Sequence, residues 1–291
     1  MMARGAGWLR AMPVVFVLIW STGFIVARYG MPFAPPFKFL ALRYALSLLC
    51  FYAWVRLAHV TWPVSRSQWG HLAVTGTLIQ AGYLGGVWAA VKLGMGSGLV
   101  ALLVGVQPVL TAVWMSMRGG AVSRRQWAGL LLGFVGLVLV VARKAVQGGE
   151  VTGVTMSLAV LALLCITAGT LYQKRFLAPC DVRSASVVQL GAALIVTLPF
   201  AMLESEAIQW NLHSIGALGW SVLALTLGGS SLLYILIQRG TATAVTSLLY
   251  LVPPCTAVMA WLLFDEPITA VTVAGIALTA IGVSLVVHAE R

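Results

Sequence analysis

Ten times along this chain, a run of about twenty residues passes with hardly a charge in it. That recurrence constrains the fold more than any motif does. A helix rises 1.5 Å per residue, so ~20 apolar residues cross the ~30 Å hydrocarbon core of a bilayer. The runs read as residues 11–30, 36–57, 69–91, 95–117 and 125–142, then 151–173, 182–203, 215–237, 242–264 and 268–288. Ten crossings use ~200 residues of the chain, which leaves fewer than ~10 for each connection. Only 9% of residues are charged and 60% are hydrophobic, whereas a soluble protein carries roughly a quarter charged. A soluble enzyme, a nucleic-acid-binding protein and a disordered tail are excluded. The expected fold is an all-α polytopic membrane protein.

Pro32, Pro35, Pro36, Pro63, Gly119–Gly120, Gly148–Gly149, Pro179 and Pro267 mark the breaks between runs. Connections this short make successive helices antiparallel, so topology reduces to one choice of orientation. With the N-terminus in the cytoplasm, 12 Lys or Arg face inside against 5 outside, while the acidic residues split 2 inside and 5 outside. The positive-inside rule therefore places both termini in the cytoplasm. The net charge of +11 then belongs to loops facing anionic lipid, with no nucleic-acid partner. Cys50, Cys165, Cys180 and Cys255 form no C-x-x-C pair, so neither a disulfide framework nor a metal site is expected. The four histidines, His59, His71, His213 and His288, fall near span ends and read as solvated. No cleavable signal sequence is apparent, and the first run reads as a retained helix.

Sliding the chain against itself gives a match at an offset of 146. Residues 97–141 align without gaps to 243–287 with 11 identities in 45 positions, among them Pro108 with Pro254, Gly129 with Gly275 and Gly136 with Gly282. This composition gives about four by chance. Two repeats follow, residues 1–146 and 147–291. Five helices per repeat is an odd number, so the second copy enters from the opposite side. Inverted repeats of this kind characterise secondary transporters, with substrate held near the midplane where the repeats meet.

The run Ile19-Trp20-Ser21-Thr22-Gly23, the run Leu40-Ala41-Leu42-Arg43-Tyr44, and the ending Phe264-Asp265-Glu266-Pro267-Ile268-Thr269 before a Gly-rich last helix resemble the EamA family of the drug/metabolite transporter superfamily. The resemblance covers essentially the whole chain. One departure is Arg118-Gly119-Gly120 where the first repeat would carry the acidic motif. The resemblance implies export of small metabolites, with YddG-like aromatic amino-acid exporters a near relative.

Candidate site residues are polar or aromatic groups within spans. Pro108 and the pair Pro253–Pro254 sit mid-span at related positions, either as kinks whose freed carbonyls face a cavity or as kinks for packing. Gln107 adds an amide at depth and reads more as a cavity residue than as a packing one. Gln80 and Tyr83 offer polar tips on the third helix, where Gly82 and Gly86 have the G-x-x-x-G spacing of close helix contact. Trp20, Thr22, Trp88, Tyr172, Tyr234 and Tyr250 complete the candidate substrate-binding set, and Trp88 and Tyr234 coincide at the repeat offset. Arg43 is the one basic residue well inside a span, so it either faces a functional charge partner or snorkels and binds carbonyls.

No carboxylate lies at depth, and neither H-E-x-x-H nor G-x-S-x-G occurs, so no catalytic residue is expected. The expected protein is a monomeric inner-membrane carrier without cofactors. It would export aromatic or other neutral amino acids by alternating access and uncoupled, facilitated transport. The alternatives are a multidrug, quaternary-amine or nucleotide-sugar carrier, a membrane enzyme, and a channel.

Overall fold

The computed structural model describes residues 2–117, 123–147, 150–239, 249–265 and 268–288. Every regular element among them is helical. The first half holds α1 (Met2–Gly30), α2 (Pro36–Leu57), α3 (Arg66–Gly76), α4 (Gly85–Lys92), α5 (Ser97–Val104), α6 (Gln107–Met117) and α7 (Arg124–Gln147). The second holds α8 (Gly153–Phe176), α9 (Val182–Leu203), α10 (Leu212–Trp220), α11 (Ser231–Arg239), α12 (Val252–Phe264) and α13 (Ala270–His288). Among the described residues, six stretches are long and apolar enough to cross a membrane: Met12–Gly30, Pro36–Leu57, Ser97–Trp114, Gly153–Phe176, Val182–Leu203 and Leu212–Gln238. Trp127–Gly136, Val252–Phe264 and Ala270–Gly282 are shorter apolar helices. Val14, Leu49, Leu131, Ile195, Met202 and Leu262 are among the many large apolar side chains exposed on the outside. A water-soluble monomer rarely carries so much exposed apolar surface, and lipid is what covers it.

The third helix of each half is interrupted in the same way. Thr77–Leu84, between α3 and α4, is a π-helix, and so is Ser221–Ser230, between α10 and α11. The offset of 146 carries 77–84 onto 223–230, inside the second π stretch. Such wide turns free or displace backbone carbonyls, and they concentrate at functional sites. Tyr44 Oη donates to the Gln80 carbonyl at 2.6 Å. Thr226 Oγ1 reaches back five residues to the Ser221 carbonyl at 2.9 Å. In lipid every backbone polar group needs a partner within the protein, so both hydroxyls are structural as well as polar.

Small residues set the closest approaches. A Cβ on Gly86 would meet the Leu158 carbonyl at 2.6 Å and Ala162 at 3.0 Å, and one on Gly82 would meet Cys165 Sγ at 2.6 Å. The Gly82–Gly86 face thus packs directly on α8. Gly282 of α13 lies equally close to the backbone of Gly129 and Gly133 on α7.

The proline positions are resolved as helix breaks. α5 ends at Val104, and α6 begins at Gln107 with Pro108 in its first turn, where a missing N–H costs nothing. Pro253 and Pro254 likewise open α12 after the single 3-10 turn Leu249–Leu251. The two breaks touch, since a Cβ on Gly105 would come within 2.6 Å of Pro253 Cγ. At the end of α12, Asp265 takes a left-handed conformation, φ 52°, and its N–H bonds the Ala260 carbonyl.

Candidate functional site

The two halves enclose a small central cavity. Its wall is made by α1 (Trp20, Gly23, Phe24), by Arg43 of α2, by the third helix (Ile79, Gln80, Tyr83, Leu84, Val87, Trp88), and by Leu225 and Ser230 from the second π stretch. Its volume is about 20 Å³, room for a water or two. The sequence positions that converge here are Trp20, Gln80, Tyr83, Trp88 and Arg43, drawn from four elements of the chain yet on one surface. Trp20 and Tyr83 lie with parallel rings, 6.1 Å between centroids and 3° between planes. Phe39 backs Trp88 at 4.8 Å. Gln80 Nε2 reaches Ser230 Oγ across the halves at 3.4 Å, and its Oε1 is buried without a hydrogen bond.

The other candidates lie elsewhere. Thr22 is half-buried on the far side of α1, donating to the Ile19 carbonyl and accepting from Trp220 Nε1 at 2.9 Å. Gln107 is fully buried between α6 and α8, where its amide donates to Thr170 Oγ1 at 3.1 Å. Tyr172 pairs its hydroxyl with His71 Nδ1 at 2.7 Å and lines a separate apolar groove of about 490 Å³ between α6 and α8. Tyr234 is buried beside Leu72, Ala185 and Val188, with its hydroxyl 2.9 Å from Cys180 Sγ. The side chain of Tyr250 lies outside the described residues, as does Glu266. Pro108, Pro253 and Pro254 are not in the cavity wall.

Ser230 and Leu225 complete the wall from the second half, although neither stood out as a site candidate. The signal that could have found them is positional: at the offset of 146, Ser230 coincides with Leu84, another wall residue.

Links between the halves bridge both ends of the molecule. At one end, Glu204 accepts from the Phe37 and Lys38 backbone N–H groups at 2.9 and 2.8 Å. Lys92 pairs with Glu206 at 2.7 Å, and Gln209 N–H donates to the Phe33 carbonyl at 2.8 Å. Helix α2 has no side-chain cap of its own at Pro35, so Glu204 provides one from the other half, with its charge favourably placed at the positive end of the helix. At the opposite end, Gln68 Nε2 donates to the Ala178 carbonyl at 3.2 Å, beside the His71–Tyr172 pair. Asp181 there caps α9 and binds Arg183 at 2.8 Å. That contact holds the Asp181 carboxyl below the usual carboxylate range.

The EamA-like transporter family matches this chain twice, over residues 9–142 and again over residues 153–288. The chain belongs to the EamA-like transporter family. It is thus a multi-pass membrane protein of a transporter family, and nothing in the family relation points to an enzyme. A probable amino-acid metabolite efflux pump of Salmonella typhimurium is 25% identical, over 100% of this chain and 97% of its own length. The uncharacterised transporter YvbV of Bacillus subtilis is 26% identical over 93% and 88%. An uncharacterised transporter of Archaeoglobus fulgidus is 25% identical over 92% and 93%. A crystal structure of a protein 18% identical superposes with a TM-score of 0.72 over 96% of this chain and 98% of the other. This EamA-like chain therefore has the fold of that structure over nearly its whole length.

Proposed function

We propose that this chain is an inner-membrane carrier that exports small metabolites, chiefly aromatic or other neutral amino acids. It does so by alternating access between two inverted repeats, residues 1–146 and 147–291. Ten membrane-spanning helices, both termini in the cytoplasm and a monomer surrounded by lipid complete the reading. The observation that carries it is the central cavity, whose wall is drawn from both halves, with stacked Trp20 and Tyr83 opposite Leu225 and Ser230. A site at such a junction changes its exposure whenever the halves rock, which is what alternating access requires. The cavity now has room for a water or two, so loading needs one set of end links to part. Pro108, Pro253 and Pro254, at helix breaks in mutual contact, are the hinge candidates. The efflux-pump name of the Salmonella typhimurium relative supports the amino-acid class.

Counterflow in proteoliposomes tests it. Vesicles preloaded with unlabelled phenylalanine or leucine should transiently accumulate the labelled amino acid, and Tyr83→Ala should reduce that exchange at least tenfold in a folded, monodisperse protein. Absence of exchange for the neutral amino acids would remove the substrate assignment. Flux that never saturates would point to a channel.

A further inference from the structure

The cavity wall contains a cation that no acidic side chain among the described residues pairs with. Arg43 is 2% exposed. Its Nε donates to Thr226 Oγ1 at 2.9 Å, and its guanidinium carbon lies 5.9 Å from the Trp88 ring centroid. Arg43 belongs to neither the Lys92–Glu206 nor the Arg183–Asp181 ion pair. A guanidinium has five N–H donors in a fixed fork. One meets Thr226, and the four on the terminal nitrogens meet no acceptor among the described residues. Burying a charge without a partner is far more costly than a ring face returns. A buried cation like this persists where a ligand's charge completes it.

A second, independent observation sits in the same wall. Gln80, 4% exposed, keeps its Oε1 buried with no donor. Unused donors of a cation and an unused neutral acceptor therefore share one small cavity, next to the apolar surfaces of Trp20, Phe24, Ile79 and Leu225.

We propose that Arg43 receives the carboxylate of the transported solute and Gln80 Oε1 its ammonium, so the substrate is an α-amino acid bound as an intact zwitterion. This rests on the carrier reading above. A carboxylate matches the Arg fork with two parallel hydrogen bonds. The ammonium gives Gln80 its missing donor, and the side chain falls against the aromatic wall. A quaternary amine is repelled by Arg43 and has no hydrogen to give Gln80. A phosphate could use Arg43, but it would set its own oxygens against the Gln80 oxygen. Arg43 is bonded across the halves to Thr226, so the carboxylate would bind at the junction that moves.

The experiment uses the full chain, in detergent for thermal unfolding and in proteoliposomes for counterflow. The probes are phenylalanine and leucine, each with its amide, which lacks the carboxylate, and its deaminated acid, which lacks the ammonium. In the wild type, amide and deaminated acid should each compete about tenfold or more weakly than the amino acid, the scale set by a lost charge-assisted hydrogen bond. Arg43→Gln should abolish the preference for acid over amide, and Arg43→Lys should restore part of it. Gln80→Leu should abolish only the preference for the amino acid over its deaminated form. An amide that competes as well as its amino acid in the wild type overturns the assignment, whatever the variants do to folding. Counterflow with that outcome leaves the carrier standing and the head-group reading lost. No counterflow, but stabilisation of wild type and not of Arg43→Gln by amino acids, leaves the recognition standing and the carrier reading lost. Neither counterflow nor stabilisation sinks both.

Discussion

Gln107 illustrates how a polar side chain at membrane depth can be committed to helix packing. Its amide nitrogen donates to Thr170 Oγ1 at 3.1 Å and reaches the Ile166 carbonyl at 3.5 Å, while its Oε1 is buried and unbonded. Gln107→Leu removes the bond to Thr170 and the longer one to Ile166 together with that orphan acceptor, so stability should change by no more than about 1 kcal/mol. Substrate affinity, measured by counterflow, should stay within twofold of wild type; a tenfold loss would put Gln107 back in the site. Asp181 behaves differently, because its role depends on charge. Its folded pKa lies below the unfolded value, ~3.9, so its contribution is complete above that value and is lost as pH falls through the lower folded one. Asp181→Asn should therefore lower stability at pH 6 by roughly 0.3–1 kcal/mol, the scale of a partly exposed pair, with the gap to wild type closing below pH 4 in thermal unfolding. Hydropathy alone marks Gln80, Gln107, Thr22 and Tyr234 alike as polar atoms in apolar runs. Which of them face a cavity depends on the rotation of each helix, and that is set by contacts such as Gly86 on Leu158 that no single run encodes. Arg43 was legible as an anomaly for a simpler reason: a lone charge at depth has few inexpensive placements.

At the scale of elements, the third helix of each half combines two features. Its π turn loosens the backbone at the cavity, and its glycines set a close contact, Gly82 and Gly86 on α8 in the first half and Gly229 on Ile19 of α1 in the second. Gly86→Val would drive side-chain atoms into the Leu158 carbonyl and Ala162, and backbone cannot yield as a flexible side-chain tip can. A loss of about 1–3 kcal/mol, read as a lower unfolding temperature, is the expected cost of such overpacking. Gly70, which faces open space on the same helix, should accept Ala without loss and serves as the control. The cap that Glu204 places on α2 predicts a local effect. Glu204→Ala removes the acceptor for the Phe37 and Lys38 amides, so hydrogen exchange in a peptide spanning these residues should accelerate several-fold. Unchanged protection there would mean that water or another acceptor already serves that helix end. Six of the ten expected spans were legible because a period-free apolar run is the membrane's own signature. The π turns were not, since no residue type specifies them; they arise where Thr226, Tyr44 and neighbouring side chains take over displaced carbonyls.

For the whole molecule, the decisive question is what drives net movement. A carrier that couples transport to protons or sodium commonly places an ionisable carboxylate within the membrane, where it can bind the ion on one side and release it on the other. The described carboxylates stand at helix ends and serve there. Asp181 caps α9, Glu204 caps α2, Glu206 pairs with Lys92, Glu150 precedes α8 and Asp265 ends α12. Among the described residues, the charge that does lie at depth is Arg43, bonded across the halves to Thr226. If a zwitterion completes that charge, loading leaves the site with an unchanged net charge, and the loaded carrier can reorient without moving additional charge through the membrane field. Movement should then follow the solute's own gradient, outward whenever the cytoplasm holds more. The measurement is uptake into proteoliposomes under an imposed pH gradient, a sodium gradient and a potassium-diffusion potential, each alone. Internal substrate should level off at the external concentration in all three. Accumulation above it that collapses with a protonophore, or with removal of sodium, would require an ion site and would end the uncoupled mechanism.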